Sequence, residues 1–285
     1  MIPVPLRRAV LRIAAIVLFV TLAGATYQGA ATAIERRQFP HPGRMIDIGD
    51  RQLHIYCTGN GSPTVVLEAP AAGMSSAWGW VQPAIAETTR VCSYDRAGLG
   101  WSEAGDRSYD PSAVPDQLHT LLSRAGERGP YVLVGHGLGA VFAKLFAGRF
   151  PADVRALILV DPAATGSASA ATMRLVSASP WLARAGVLRV TRLLSHTVVG
   201  LPESSAGPMK SFLNRPDHLT RAANEMARWN DTVNLADMAP LSPGLRVVAV
   251  SVNGTDRVTF LTDSSRAAEV TAAITTAVGQ VASAR

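Results

Sequence analysis

Short apolar segments alternate with longer amphipathic segments along most of the chain. Two runs of alternating apolar and polar positions come first, and the Gly49-Asp50 pair between them predicts a hairpin: RMIDIG and RQLHIYC. Four later runs are almost continuously apolar: TVVLEA, RVCSYD, YVLVG and RALILVD. Such runs are typical of strands buried on both faces, and helix-like stretches separate the last three. The pattern predicts an α/β fold with a mostly parallel, doubly wound sheet.

Residues 162–244 follow a different pattern, with irregular helical segments and no strand-like run. They predict a helical cap insertion over the carboxyl edge of the sheet, where open α/β sheets bind ligands. A plain crossover connection that has grown longer is the alternative. Beyond this region LRVVAVSV predicts a strand, and RVTFLTD predicts either a further strand or the second arm of an Asn-Gly hairpin. The segment RAAEVTAAITTAVGQVA predicts a closing helix.

The amino-terminal segment contains a long uncharged run, residues 13–34. Three arginines precede it: Arg7, Arg8 and Arg12. A membrane span needs about 20 apolar residues, so we interpret residues 1–37 as a single transmembrane anchor. The alternative is a cleaved signal peptide, because Ala31-Thr32-Ala33 fits the small-x-small cleavage pattern. Both interpretations place the folded domain, residues 38–285, outside the cytoplasm: at the cell membrane as a single-pass protein or, after cleavage, secreted or periplasmic.

Composition narrows the possible partners. The chain has 285 residues, 48% of them hydrophobic, which is enough for one sizeable core. Lys and Arg number 27 against 21 Asp and Glu, but outside the amino terminus they are scattered, so we expect no nucleic-acid partner. Because no paired-cysteine, HExxH or Walker spacing occurs, we expect no metal and no cofactor. The chain has two cysteines, Cys57 and Cys92. Their number alone is compatible with a disulfide and with a buried free pair.

A strand, a glycine-rich turn and a helix follow one another in YVLVGHGLGAVFAKLFAGRF. This is the context of a nucleophile elbow, in which a strained residue between two glycines presents its side chain to the site. Gly135 and Gly139 leave the space in which the helix crosses its own strand. The strained position between them is Gly137, which has no side chain to act as a nucleophile.

Three segments together resemble the α/β-hydrolase family, in particular its membrane-anchored bacterial members: VVLEAPAAGMSSAW, RVCSYDRAGLGWSE and YVLVGHGLGAVFAKLFAGRFPADVRALILVDPA. The resemblance is strong over residues 45–163 and implies the α/β-hydrolase fold. In that fold the second strand lies antiparallel beside the fourth, which implies a disulfide between Cys57 and Cys92. The resemblance also gives Asp95 and Arg96 a structural role, in which Asp95 accepts local N–H groups and Arg96 pairs with a carboxylate.

By the same resemblance, catalysis requires an oxyanion hole and a Ser-His-Asp triad. The backbone N–H groups of Ala71 and Leu138 correspond to the oxyanion hole, whatever their side chains. Gly137 occupies the nucleophile position. Asp256 is the best match for the acid, and Asp161 is the alternative.

The triad histidine is expected between the last strand and the last helix, yet the sequence has no histidine after His218. His136 lies inside the turn, where the family's histidine has a packing role. His218 and His196 are candidates to face the pocket from the cap. With two of three triad members missing, we expect a protein that is non-catalytic by the Ser-His-Asp route and that keeps a pocket for an unknown small-molecule ligand or protein partner. The alternative is an active hydrolase of small esters or amides with a rearranged site.

Overall fold

A computed structural model describes residues 4–105, 109–166, 170–250 and 260–283. Seven strands are found in these residues: β1 (Arg44–Asp47), β2 (Gln52–Thr58), β3 (Val65–Glu68), β4 (Val91–Tyr94), β5 (Tyr131–His136), β6 (Val154–Val160) and β7 (Arg246–Val250). They form one sheet in the order β1-β2-β4-β3-β5-β6-β7. β2 pairs antiparallel with β1 and with β4, and the other described pairs are parallel. The predicted hairpin and the mostly parallel sheet are confirmed.

The same residues contain ten α-helices: α1 (Val4–Gln38), α2 (Val81–Ala86), α3 (Val114–Ala125), α4 (Leu138–Arg149), α5 (Ala170–Arg184), α6 (Val187–Thr191), α7 (Glu203–Phe212), α8 (Pro216–Ala227), α9 (Trp229–Asp237) and α10 (Ser264–Ala282). α2 and α10 pack on one face of the sheet, and α3 and α4 pack on the other. Along β3, Val65 and Leu67 face the first pair of helices and Val66 faces the second. This burial on both faces is why residues 65–67 of the strand are all apolar.

Between β6 and β7 the chain forms α5 to α9, which we term the cap. α5 packs against α8 within the cap, and α9 packs against α4 of the core. These helices lie within residues 162–244, where the helical pattern predicts an insertion. The α/β fold with a helical cap is therefore confirmed.

The strand predicted from RVTFLTD is wrong where the structure describes it. Phe260–Thr262 forms a single 3-10 turn, and α10 follows immediately. The side chain of Asp263 caps α10 by accepting hydrogen bonds from two N–H groups of its first turn, at 2.8 and 3.3 Å. Leu261 is buried in the same apolar cluster as α10, so its apolar character serves helix packing. The hairpin alternative depends on residues 251–259, which lie outside the described residues.

Cys57 of β2 lies directly opposite Cys92 of β4, with their Cα atoms 4.0 Å apart. The two cysteines form a disulfide, in the pairing that the family resemblance implies. The bond joins the two antiparallel strands on the β1 side of the sheet.

α1 is a 35-residue helix that differs from the rest of the fold. Its segment Pro5–Gln38 is long and apolar enough to cross a membrane, with a mean hydropathy of 2.1 in the most apolar window. Phe19, in the middle of that window, is 72% exposed. Nearer its carboxyl end the helix packs against the cap, where Gly24 contacts Ala185.

Candidate functional site

Gly137 forms the turn between β5 and α4 with φ +57° and ψ −118°. This backbone conformation is strained for a residue with a side chain and open to glycine. Hydrogen bonds fix the turn. The Gly137 N–H donates to the carbonyl oxygen of Val160 (3.0 Å), and the Gly137 carbonyl oxygen accepts from the N–H groups of Ala140 (3.2 Å) and Ala163 (3.0 Å). The elbow conformation is therefore present without the nucleophile.

The three glycines of the elbow have different steric requirements. A Cβ atom added to Gly135 would lie 2.4 Å from the carbonyl oxygen of Gly139, and one added to Gly139 would lie 2.4 Å from that of Glu68. A Cβ atom added to Gly137 would meet only the Pro70 side chain among the described residues, at 3.8 Å. The flanking glycines are thus required by packing, whereas the central position has room for a side chain.

Residues 69–73 follow β3 and contain a predicted oxyanion donor, so we term them the oxyanion loop. Pro70 in this loop is the neighbour that a side chain at position 137 would meet. Ala71 packs in the same apolar cluster as Leu138. Neither the Ala71 nor the Leu138 N–H donates a hydrogen bond to a described residue. The two residues lie on neighbouring segments, and the use of their N–H groups as an oxyanion hole stays a prediction.

Arg96 holds the oxyanion loop in place. Its guanidinium donates to both carboxylate oxygens of Glu225 (2.7 and 2.9 Å) and to Glu68 (2.6 Å). It also donates to the carbonyl oxygens of Ala69 (2.7 Å) and Pro70 (2.9 Å). All three charged side chains are buried. Because Glu225 lies on α8, this network connects the cap to the loop beside the elbow.

Burial and charge have opposite effects on the pKa values in this network. Burial raises the pKa of Glu68, and the Arg96 guanidinium offsets this only in part. For Arg96, burial acts to lower the pKa, but the carboxylates of Glu225 and Glu68 outweigh it and raise the pKa well above its usual range. Tyr94, whose hydroxyl donates to Glu68, has its pKa raised by burial and by that carboxylate. Arg96 therefore stays charged, and Glu68 is protonated more readily than an exposed glutamate.

His218 reaches the oxyanion loop from α8, but both of its ring nitrogens bind backbone. Its Nδ1 accepts from the N–H of Gly100 (3.0 Å). Its Nε2 lies 3.0 Å from the carbonyl oxygen of Ala72, so it carries the proton and donates. Burial lowers the pKa of His218, which favours this neutral form. His218 thus connects the cap to the loop and offers no free nitrogen as a general base.

The other predicted residues lie at separate points of the fold. His136 is buried at the end of β5, and burial lowers its pKa to about 4, so it is neutral at neutral pH. His196 is exposed in the cap. Asp161 follows β6 and donates its N–H to the carbonyl oxygen of Val250 (2.9 Å). Asp256 lies outside the described residues, and its role as the acid stays a prediction.

Ser75, His54 and Asp95 form a buried cluster just after the oxyanion loop. The Nδ1 atom of His54 lies 3.0 Å from Asp95 Oδ2 and 3.5 Å from Ser75 Oγ. A catalytic triad needs the acid and the hydroxyl on opposite ring nitrogens, whereas here both approach the same one. Asp95 also accepts from the N–H groups of Ser75 (2.6 Å) and Trp101 (2.9 Å). Burial acts to raise the pKa of Asp95, but His54 and these N–H groups outweigh it and lower the pKa. The cluster is structural, as expected for Asp95.

Sequence reasoning missed Glu225. The pattern that indicates its role is the spacing of three polar residues on α8: His218, Arg221 and Glu225. They recur at positions i, i+3 and i+7, which places them on one face of the helix. All three are buried, so this polar face packs against the core.

A cleft of about 780 Å³ lies between the β1–β2 turn, the start of α3 and α8. Arginines and an aromatic side chain contribute to its lining: Arg51, Arg96, Arg221 and Tyr109. Neither Gly137 nor Ala71 is among the lining residues. The cleft therefore reaches the site through Arg96, the residue that holds the oxyanion loop.

Two curated relatives share parts of this chain. An uncharacterised protein of Schizosaccharomyces pombe is 28% identical over 198 residues, which cover 58% of this chain and 36% of that protein. The uncharacterised Bacillus subtilis protein YbdG is 26% identical over 155 residues, which cover 52% of this chain and 46% of YbdG. The chain thus spans between about a third and a half of the length of these relatives.

A solved structure and a family profile agree on the fold. A thermophilic esterase from Thermogutta terrifontis superimposes with a TM-score of 0.60 at 19% identity, covering 81% of this chain and 94% of the esterase. At this identity the likeness shows the fold alone. The sequence profile of the alpha/beta hydrolase family matches residues 60–282, which is most of the chain. The protein belongs to the α/β-hydrolase family.

Proposed function

We propose that this family member is a membrane-anchored, extracytoplasmic binding protein that does not hydrolyse substrates by the Ser-His-Asp route. Gly137 carries the proposal, because the elbow keeps its conformation but has no side chain to attack a substrate. His218 supports it, since both of its ring nitrogens bind backbone groups. Without a nucleophile and a base within reach of each other, acyl transfer by this route has no starting step.

The oxyanion loop is the proposed binding feature. The Ala71 and Leu138 N–H groups have no described partner, and Arg96 with Glu225 holds the loop that carries one of them. Backbone N–H groups fixed in this way bind a carbonyl or carboxylate oxygen. The proposed occupant is a small molecule or a protein segment that presents such an oxygen.

Membrane anchoring and an extracytoplasmic location rest on two separate features. α1 contains an exposed apolar segment long enough to span a bilayer. The Cys57–Cys92 disulfide favours an oxidising compartment, since cytosolic thiols are kept reduced. Together they support a single span with the domain on the extracytoplasmic side.

The catalytic half of the proposal is tested on the purified full chain in lipid nanodiscs. A panel of short-chain aryl esters and amides should show no turnover above that of empty nanodiscs, and a fluorophosphonate probe should leave the protein unlabelled. The competing function is an active hydrolase with a rearranged site. Turnover that is lost in His218→Ala or Asp256→Asn would establish that function and reject the proposal.

The location half is tested in cells that express the full chain. The protein should stay in the membrane fraction through alkaline extraction and keep residues 1–37, as measured by intact mass. Protease added outside the cytoplasmic membrane should digest the domain. Loss of the segment ahead of a cut after Ala33, with release of the domain, would support the signal-peptide alternative.

A further inference from the structure

The carboxyl half of α1 is fixed to the cap by polar contacts. Gln28 Nε2 donates to the carbonyl oxygen of Asn214 (2.6 Å), and Gln28 Oε1 accepts from Arg189 Nε (3.0 Å). Two turns later the Glu35 carboxylate accepts from Arg189 and from Ser211 Oγ. Gln28 is buried at 4% exposure. Such polar groups need protein or water around them, so α1 has left the hydrocarbon of a membrane by Gln28.

The length of α1 agrees with this boundary. A span of about 20 residues that starts at Ala9, the first residue after Arg8, ends at Gln28. Arg12 lies in the first turn of that stretch, from which a long side chain reaches back to the lipid phosphates. With the outer boundary at Gln28, Gly24 lies on the membrane side of it.

Gly24 is a further point of contact between the cap and α1. It lies one helical turn before Gln28, which is about 6 Å deeper along the helix axis. A Cβ atom added to Gly24 would lie 2.1 Å from the carbonyl oxygen of Ala185, and one added to Gly186 would lie 2.8 Å from that of Gly24. The turn between α5 and α6 is therefore packed, backbone against backbone, on a part of α1 at hydrocarbon depth.

Residues 181–193 around this turn, which we term the cap tip, expose large apolar side chains. Their exposed fractions are high at two positions, Trp181 (71%) and Val190 (73%), and substantial at Val187 and Leu193. Arg184 and Arg192 are exposed among them, and the Arg184 guanidinium lies 4.9 Å from the centre of the Trp181 ring. Tryptophan beside arginine is the combination that favours the boundary between acyl chains and anionic headgroups.

We propose that the cap tip is a lipid-contacting surface that inserts into the leaflet facing the domain. The proposal rests on the membrane span of the proposed function and goes beyond it, because it gives the cap a lipid partner. The depth of about 6 Å falls in the range of interfacial helices. α5, which leads into the cap tip, packs against α8. α8 carries His218 and Glu225, the residues that connect the cap to the oxyanion loop, so the proposed lipid contact adjoins the helix that positions this loop.

Spin labels on the full chain test this surface. Both natural cysteines form the disulfide, so one introduced cysteine provides a unique thiol. Three variants are labelled separately and reconstituted in vesicles of phosphatidylethanolamine and phosphatidylglycerol: Phe19→Cys in the span, Val190→Cys in the cap tip and Met238→Cys after α9. Val190 and Met238 are matched in exposure, at 73% and 81%. Power saturation then compares collisions with oxygen, which concentrates in lipid, and with a water-soluble nickel chelate.

The expected result is excess collision with oxygen at positions 19 and 190 and excess collision with the nickel chelate at position 238. Excess nickel collision at position 190, together with excess oxygen collision at position 19, would overturn the proposal while leaving the span intact. Excess nickel collision at position 19 would reject the span and the cap-tip proposal with it. Equal behaviour of positions 190 and 238 would also overturn the proposal, because the cap tip would then not differ from an ordinary exposed site.

Discussion

Arg96 and Glu225 are joined by two hydrogen bonds, 2.7 and 2.9 Å long, and both side chains are buried. One partner follows β4 and the other lies on α8 of the cap. The paired geometry gives both strength and direction to the contact. Because Arg96 also binds two carbonyl oxygens of the oxyanion loop, this ion pair sets the position of the cap and of the loop together.

Removal of the Glu225 carboxylate should destabilise the protein strongly. Glu225→Ala leaves the buried Arg96 with Glu68 as its remaining carboxylate, and breaking a buried pair in this way costs about 3–5 kcal/mol. Chemical unfolding of the full chain in detergent measures the loss. Asp231→Ala is the control, since the Asp231–Arg228 pair is exposed and should contribute about 1 kcal/mol or less. Equal, small effects of the two substitutions would contradict the role given to Glu225.

The elbow glycines should respond differently to the same substitution. Gly137→Ala has room for its methyl group. Its free energy of unfolding should fall only by the strain of a positive φ, about 1–3 kcal/mol. The free energy of unfolding should fall further in Gly139→Ala, because the added Cβ atom would lie 2.4 Å from a backbone oxygen. Thermal unfolding of both variants gives the comparison. A smaller loss for Gly139→Ala would show that the helix does not need this glycine to cross its strand.

His136 should make stability dependent on pH. Its pKa in the folded protein is about 4, against an ordinary value of 6.5, so between these values the unfolded chain binds more protons. The free energy of unfolding should therefore fall as the pH is lowered from about 6.5 to about 4, by up to about 3 kcal/mol from this residue. Unfolding measured across this range should show a shallower slope in His136→Asn than in the natural chain.

The central strands of the sheet, β3, β4 and β5, are predictable from sequence because they are buried on both faces. In β3 and β5 the side chains pack alternately against helices on the two sides, so residues 65–67 and 132–134 are all apolar. The elbow is predictable for a related reason, since the close crossing of β5 and α4 accepts only glycine at positions 135 and 139. In both cases a local packing requirement leaves a local sequence pattern.

The contacts of the cap are not predictable in the same way. Glu225 meets Arg96 across 129 positions of sequence, and His218 meets Ala72 across 146. Nothing in the neighbouring residues of either partner specifies such a pairing, which depends on how the cap settles on the sheet. The strand predicted at RVTFLTD is wrong for a similar reason, since tertiary packing decides the structure there. Leu261 is apolar because it packs with α10.

Ester turnover by the natural chain and by Gly137→Ser, measured side by side on the full protein in nanodiscs, tests the central claim most directly. The substitution restores a hydroxyl at the elbow, in space that is open to it. Because both ring nitrogens of His218 bind backbone groups and the sequence has no histidine after His218, both proteins should hydrolyse aryl esters no faster than empty nanodiscs, and both should resist fluorophosphonate labelling. Rapid turnover by the natural chain, or by Gly137→Ser, would show that a working base remains beside the elbow and would contradict the account.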